Sequence, residues 1–152
     1  MGHYRYFITI CTHERRPLFN DGILVGQLTG PLKTKSDAFG FLVWAFCFMP
    51  DHVHFFLEGT SHGSDLKKFI SSYKQYTAFH YKKSVTQDSS PAKSRETKLW
   101  QPSYYDHVLR NEDDTLATAR YIFENPVRKN LVTHYREYQF MGSFELDIED
   151  FF

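Results

Sequence analysis

The chain has 152 residues, enough for one hydrophobic core and too few for two, and its 41% hydrophobic and 24% charged residues exclude disordered, collagen-like and coiled-coil readings. Lysine and arginine balance aspartate and glutamate at 18 each, so bulk positive charge cannot by itself supply an affinity for nucleic acid. The longest apolar run, residues 39–50, is roughly half of what a membrane-spanning helix needs, and the first ten residues lack the pattern of a signal peptide. A cytoplasmic protein is expected, with Cys11 and Cys47 as small buried thiols, since neither sits in a metal-ligand or disulfide spacing.

Aromatic residues reach 18%, which favours strands over an all-helical bundle. From Tyr4 to Thr12 two faces alternate, Tyr4, Tyr6, Ile8 and Ile10 against Arg5, Phe7, Thr9 and Cys11, as in a first strand. Asp21 to Lys35 reads as a helix capped by Asp21, with an apolar stripe of Ile23, Leu24, Gln27 and Leu28 interrupted by Gly26 and Gly30. Phe41 to Phe48 is apolar throughout and is expected in the middle of the sheet, buried on both faces. After the break at Met49, Pro50 and Asp51, the run His52 to Glu58 alternates again, with His52, His54 and Phe56 on one face. Ser64 caps an expected helix to about Lys83, in which Leu66, Phe69, Ile70, Tyr73, Thr77 and Tyr81 recur at helical spacing. Ser84 to Thr97 has the composition of a long flexible loop, Ser103 to Arg110 of a fourth strand, and Asp113 to Glu124 of a helix with Leu116, Ala119 and Phe123 as its core stripe. Asn125 and Pro126 then punctuate a short helical segment towards Leu131. This order predicts an α+β fold with a ferredoxin-like antiparallel sheet and helices packed mainly on one face.

Four acids, Glu145, Asp147, Glu149 and Asp150, close the chain, so a domain over residues 1–144 with 18 basic and 14 acidic residues carries a net +4, and residues 145–152 form an acidic tail. Eight basic residues fall between Lys67 and Lys98, including Lys93 and Arg95, a stretch that could meet phosphate or be an ordinary solvated face.

Four side chains stand out chemically. His52 and His54 share a strand face with Cα atoms roughly 6 to 7 Å apart, so their imidazoles can converge on one divalent ion and leave positions open for water and substrate. A solvated or hydrogen-bonded histidine pair fits the same spacing. Tyr121 points about 140° away from Leu116 on its helix, outside the stripe, either as a surface tyrosine or as a presented hydroxyl. Asn125 follows four residues on and suits both a helix cap and a ligand.

The segment Met49-Pro50-Asp51-His52-Val53-His54 resembles the histidine-hydrophobe-histidine motif of the single-tyrosine HUH transposases. Residues 4–9, Arg15-Arg16-Pro17-Leu18-Phe19, and Tyr121-Ile122 followed by Asn125-Pro126-Val127-Arg128 resemble the branch called REP-associated tyrosine transposases, over roughly residues 4 to 140. The resemblance implies a divalent metal, Mg²⁺ or Mn²⁺, on His52, His54 and Asn125, with Tyr121 as a nucleophile that cleaves and rejoins single-stranded DNA next to hairpins through a 5′-phosphotyrosine. A phenol of pKa near 10 needs local help to attack at neutral pH. Tyr105 is the second choice of nucleophile. Lys67, Lys68, Lys74, Arg15, Arg16 and Arg128 are the expected DNA-binding cations, and Tyr73, Tyr76 and Phe79 candidate stacking residues.

Three other readings compete: a domesticated hairpin-DNA-binding protein without cleavage, a metal-dependent hydrolase that does not use the tyrosine, and a structural or interaction protein. A nucleoid-associated location follows from the preferred one. An exposed edge strand could pair with a second copy to give a homodimer, and the acidic tail would repel DNA if it folded near the groove.

Overall fold

The computed structural model describes residues 4–87, 96–110 and 114–151. Lys93 and Arg95 of the basic stretch, and Asp113 at the expected helix start, lie outside them. The chain runs β1 (Arg5–Cys11), α1 (Gly22–Phe39), β2 (Phe41–Met49), β3 (His52–Gly59), α2 (Leu66–Gln87), β4 (Tyr105–Leu109), α3 (Thr115–Phe123), α4 (Asn125–Arg128) and β5 (Met141–Gly142). The sheet order is β4-β1-β3-β2-β5 with every neighbouring pair antiparallel, the strand order of the ferredoxin-like arrangement extended by β5. No described helix is long and apolar enough to cross a membrane.

Alternation divides the sheet into two faces. Tyr6, Ile8, Ile10, Val53, Phe55 and Leu57 point into the larger core, where α1 brings Leu24, Val25, Leu28 and Leu32 and α2 brings Phe69, Ile70 and Tyr73. The opposite face carries Phe7, Thr9, His52, His54 and Phe56, and α3 covers part of it with Ala119, Ile122 and Phe123. The two long helices thus share one face, and the short α3 takes the other. A bulge at Trp44 shifts the β2–β3 register between Val43 and Ala45, so that Val43, Phe46 and Phe48 join the first core while Ala45, Cys47 and Met49 join the second.

Several elements differ from the sequence expectation. Helix α1 runs on to Phe39 through Pro31, which removes the partner of the Gln27 carbonyl, and Gln27 is exposed where water can replace it. Its stripe takes Val25 rather than Ile23, which is exposed. Strand β2 lies next to the short β5 at one side of the sheet rather than in the middle, and its two buried faces come from α1 on one side and α3 with the C-terminal segment on the other. The start of α2 is capped by Asp65, whose Oδ1 accepts from Lys68 N at 3.1 Å, while the Ser64 hydroxyl donates to the Gly40 carbonyl at 2.7 Å and accepts from Ser61 N at 3.3 Å. The helix continues to Gln87, so Ser84–Gln87 is helical rather than loop. In α3 the cap is Asp114 and the buried stripe is Ala119, Ile122 and Phe123, with Leu116 left 53% exposed. Trp100 is a core residue whose Nε1 donates to Thr77 Oγ1 at 2.9 Å.

The acidic end is attached to the domain. Phe151 packs against Phe123 with ring centroids 5.4 Å apart, and Glu149 accepts from Tyr135 and Arg136.

Two glycines of opposite demand test this account. Gly40 ends α1 in the left-handed region at φ 76°, and a Cβ there would meet Ser64 Oγ at 3.0 Å and Thr60 Oγ1 at 3.2 Å. Gly40→Ala is expected to lower stability by about 1–2 kcal/mol. A Cβ at Gly26, inside α1, meets nothing within 4 Å, so Gly26→Ala should raise stability by roughly 0.5–1 kcal/mol. Urea denaturation of the two variants checks both signs.

Candidate active site

The β2–β3 turn delivers Asp51 and His52 together, and strand alternation carries His54 to the same face. The two imidazole rings lie 4.7 Å apart between centroids at 73°. Each has its Nδ1 engaged: His52 Nδ1 donates to Asp51 Oδ1 at 2.7 Å, and His54 Nδ1 lies 2.9 Å from Thr9 Oγ1, its partner across the β1–β3 ladder. With both Nδ1 atoms held in this way, the Nε2 atoms are the ones left to converge on a ligand.

Electrostatics favour the neutral, ligating form at His54. Burial, reinforced by the charges of His52, Arg128 and Lys129, lowers its pKa to about 4. At Asp51 burial pushes the carboxyl up, but the hydrogen bonds from Arg15 and His52 outweigh it and hold it below its usual value. Arg15 Nε donates to Asp51 Oδ2 at 3.0 Å from a turn in which Glu14 and Arg15 both have positive φ, 57° and 53°. Arg15 therefore steadies the carboxylate that steadies His52.

Tyr121 joins the pair through Phe7. The Phe7 ring is 5.1 Å from His54 and 6.5 Å from Tyr121, centroid to centroid. Tyr121 is 57% exposed, and the Arg128 guanidinium carbon lies 3.9 Å above its ring. Arg128 Nη2 donates to Asn125 Oδ1 at 3.3 Å. Asn125 is only 5% exposed, and its Nδ2 has no hydrogen-bond partner among the described residues. An amide buried with half of its polar capacity unspent is costly as a purely structural element. No side-chain cap bond from Asn125 is formed, since it stands inside α4 rather than before it.

This set suits a divalent cation. Two anchored imidazoles supply nitrogen, no third His, Cys, Asp or Glu completes a cluster with them among the described residues, and Asn125, tied to the site through Arg128, could offer only its amide oxygen, since its unpartnered Nδ2 is a donor.

The expected DNA contacts divide. Lys67, Lys68 and Lys74 ride on α2, on the side of the sheet opposite the histidines. Lys74 is committed to the fold, its Nζ donating to the carbonyls of Gln101 at 2.7 Å and Ser103 at 3.0 Å. Arg16 donates to the His13 carbonyl at 3.2 Å and to the Lys98 carbonyl. Tyr73 is buried and donates to the Leu28 carbonyl, which removes it from any stacking role, whereas Tyr76 and Phe79 are exposed. Tyr105 is exposed on β4 opposite Thr9, two strands from His54 on the histidine face. A cavity of about 640 Å³ adjoins Tyr121, lined by Leu116, Arg120 and Glu124 of the α3 region and by Asp147, Asp150 and Phe151 of the acidic end.

Phe7, Thr9 and Asp51 were not singled out by the sequence reading. Their signal was present as position: Phe7 and Thr9 occupy the histidine-facing register of β1, and Asp51 adjoins the first histidine.

The family model for IS200-like transposases matches residues 1–125. A Haemophilus influenzae protein assigned to the REP-associated tyrosine transposases is 24% identical over 145 residues, covering 95% of this chain and 81% of that protein. Among solved structures, a REP-associated tyrosine transposase bound to a REP hairpin superposes with a TM-score of 0.72 at 18% identity, over 93% of this chain and 77% of the other. A Deinococcus radiodurans protein described as a transposase gives a TM-score of 0.57 at 23% identity, over 82% and 92% of the two chains.

The depressed pKa of His54 has a measurable consequence. The folded imidazole stays neutral down to about pH 4 while the unfolded one takes its proton near 6.5. Stability is therefore fully present above pH 6.5 and is lost as pH falls towards 4, by about 2–3 kcal/mol at the limit. Urea denaturation in chelator at neutral pH and at about pH 4.5 should show a smaller loss for His54→Gln than for wild type.

Proposed function

This chain belongs to the IS200-like transposase family, and from that premise we propose that it is a metal-dependent strand transferase that cleaves and rejoins single-stranded DNA beside hairpins through Tyr121. The observation that carries the reading is the meeting of an exposed tyrosine with an anchored histidine pair across Phe7. Hairpin DNA as the partner is supported by the structural relative bound to a REP hairpin.

In the cleavage step the Tyr121 phenol oxygen attacks the scissile phosphorus, an O–P bond forms to the tyrosine, and the bond from phosphorus to the 3′ oxygen breaks. The phenol proton leaves to solvent and the departing 3′ oxygen is protonated, so a 5′-phosphotyrosine and a free 3′-hydroxyl result. One phosphate ester replaces another, and a second 3′-hydroxyl can reverse the step without a nucleoside triphosphate. His52, His54 and Asn125 would hold a divalent cation, Mg²⁺ or Mn²⁺, which supplies charge stabilisation at the phosphate oxygens. Asp51 and Thr9 orient the two imidazoles, and Arg15 orients Asp51. Lys67 and Lys68, exposed on α2, remain available to backbone phosphates away from the histidine face.

The test mixes protein and Mn²⁺ with single-stranded oligonucleotides tiled across the DNA flanking the gene, followed by a denaturing gel and intact mass analysis. Wild type should form a covalent adduct, and Tyr121→Phe should abolish it, a loss of at least about 10³-fold, with hairpin binding retained. His52→Ala and His54→Ala should abolish it too. An adduct that survives Tyr121→Phe and disappears with Tyr105→Phe would move the nucleophile to β4. Equal cleavage by wild type and Tyr121→Phe without an adduct would replace this reading with hydrolysis, and hairpin binding without cleavage would replace it with a binding module.

A further inference from the structure

We propose that Arg128 is a positioning residue for the nucleophile, its guanidinium clamping the face of Tyr121 and so fixing the direction of the phenol oxygen; this rests on the strand-transfer reading above. A tyrosine 57% exposed on a helix surface has several χ1 wells open to it. Here two neighbours restrict it. The Phe7 ring meets it at 6.5 Å and 63°, and the Arg128 guanidinium carbon lies 3.9 Å from its ring centroid.

The guanidinium is itself anchored. Nη2 donates to Asn125 Oδ1 at 3.3 Å, and Nη1 lies 3.9 Å from Glu124 Oε2. Backbone bonds from Glu124 N to the Arg120 carbonyl and from Arg128 N to the Glu124 carbonyl, both 2.9 Å, carry the helical path from α3 into α4. Tyr121, Asn125 and Arg128 therefore sit four and three residues apart on one side of a nearly continuous helix. Arg128 touches both the nucleophile and the amide of Asn125, and its charge also reaches His54 and Cys47 on the sheet below.

A planar group stacked on one side chain and hydrogen-bonded edge-on to another has its orientation set by both, which an ammonium cannot reproduce. Misplacing a reacting atom by about 1 Å costs on the order of 10²-fold in rate, so losing the clamp should act on the chemical step rather than on DNA affinity.

The test compares wild type, Arg128→Lys and Arg128→Gln in the full chain, with Mn²⁺ and the hairpin oligonucleotide that wild type cleaves. Single-turnover adduct formation is followed against DNA concentration. The maximal rate is expected to fall about 10²-fold in Arg128→Gln and about tenfold in Arg128→Lys, with the half-saturating concentration within about twofold of wild type. A rise in that concentration at unchanged maximal rate, with a shallower salt dependence, would make Arg128 a phosphate contact and overturn the proposal. Full activity in Arg128→Lys would overturn it as well, since charge alone would then suffice. A second readout needs no reaction: in protein carrying ring-¹³C tyrosine, the Tyr121 resonance should move in Arg128→Gln and much less in Arg128→Lys, with the other tyrosines in place. An unmoved Tyr121 signal would overturn the clamp whatever the activity. Absence of any wild-type adduct, with the Tyr121 signal shifting as expected, would instead sink the strand-transfer reading and leave the clamp standing.

Discussion

The pairing of β1 with β3 is the constraint on which the rest depends. In an antiparallel ladder facing residues project to the same side, so the register Thr9↔His54, Phe7↔Phe56 and Cys11↔His52 assembles the histidine face in one step. Thr9 becomes the hydrogen-bond partner of His54, and Phe7 becomes the ring that reaches both His54 and Tyr121. A slip of one residue would turn His52 and His54 towards the helix-covered core and bring Val53 and Phe55 out. The hydrophobic demand of that core, filled by Ile8, Ile10, Val53, Phe55 and Leu57, therefore guards the geometry of the polar side.

Around this ladder, charge is used locally rather than in bulk. The chain is neutral overall, yet Arg128 and Lys129 stand close enough to add to the burial that depresses the pKa of His54, and Arg15 is committed to Asp51. Other cations serve structure: Lys74 fastens the segment before β4, and Arg16 ties the His13 carbonyl to that of Lys98, 82 residues beyond Arg16 in the chain. Counting basic residues along a helix could not separate these uses, because a lysine that bonds two carbonyls and one that faces water have the same place in the pattern.

Much of the fold was legible because it rests on period. The alternation of β1 and β3 and the Asp21 cap survive in the structure, and His52 and His54 share a face for the reason that their spacing implied. What escaped depends on contacts between distant segments. The bulge at Trp44 is invisible in an all-apolar run, the Ser64 hydroxyl bonds Gly40 across 24 residues, and Leu116, in the first turn of α3, is exposed while Ala119, Ile122 and Phe123 further along are buried. The surroundings of Tyr121 belong to the same class: its exposure outside the buried stripe was legible, whereas the guanidinium over its ring and the Phe7 edge were not.

The division of the sheet into two faces bears on how such a protein ages. Its largest apolar cluster joins α1 and α2 to one side, while the histidines, Tyr121 and Arg128 lie on the other. Substitutions at these four residues therefore leave the largest apolar cluster of the molecule in place. Loss of transposition and loss of the fold are separable events in this architecture, and an inert descendant would still be a folded domain.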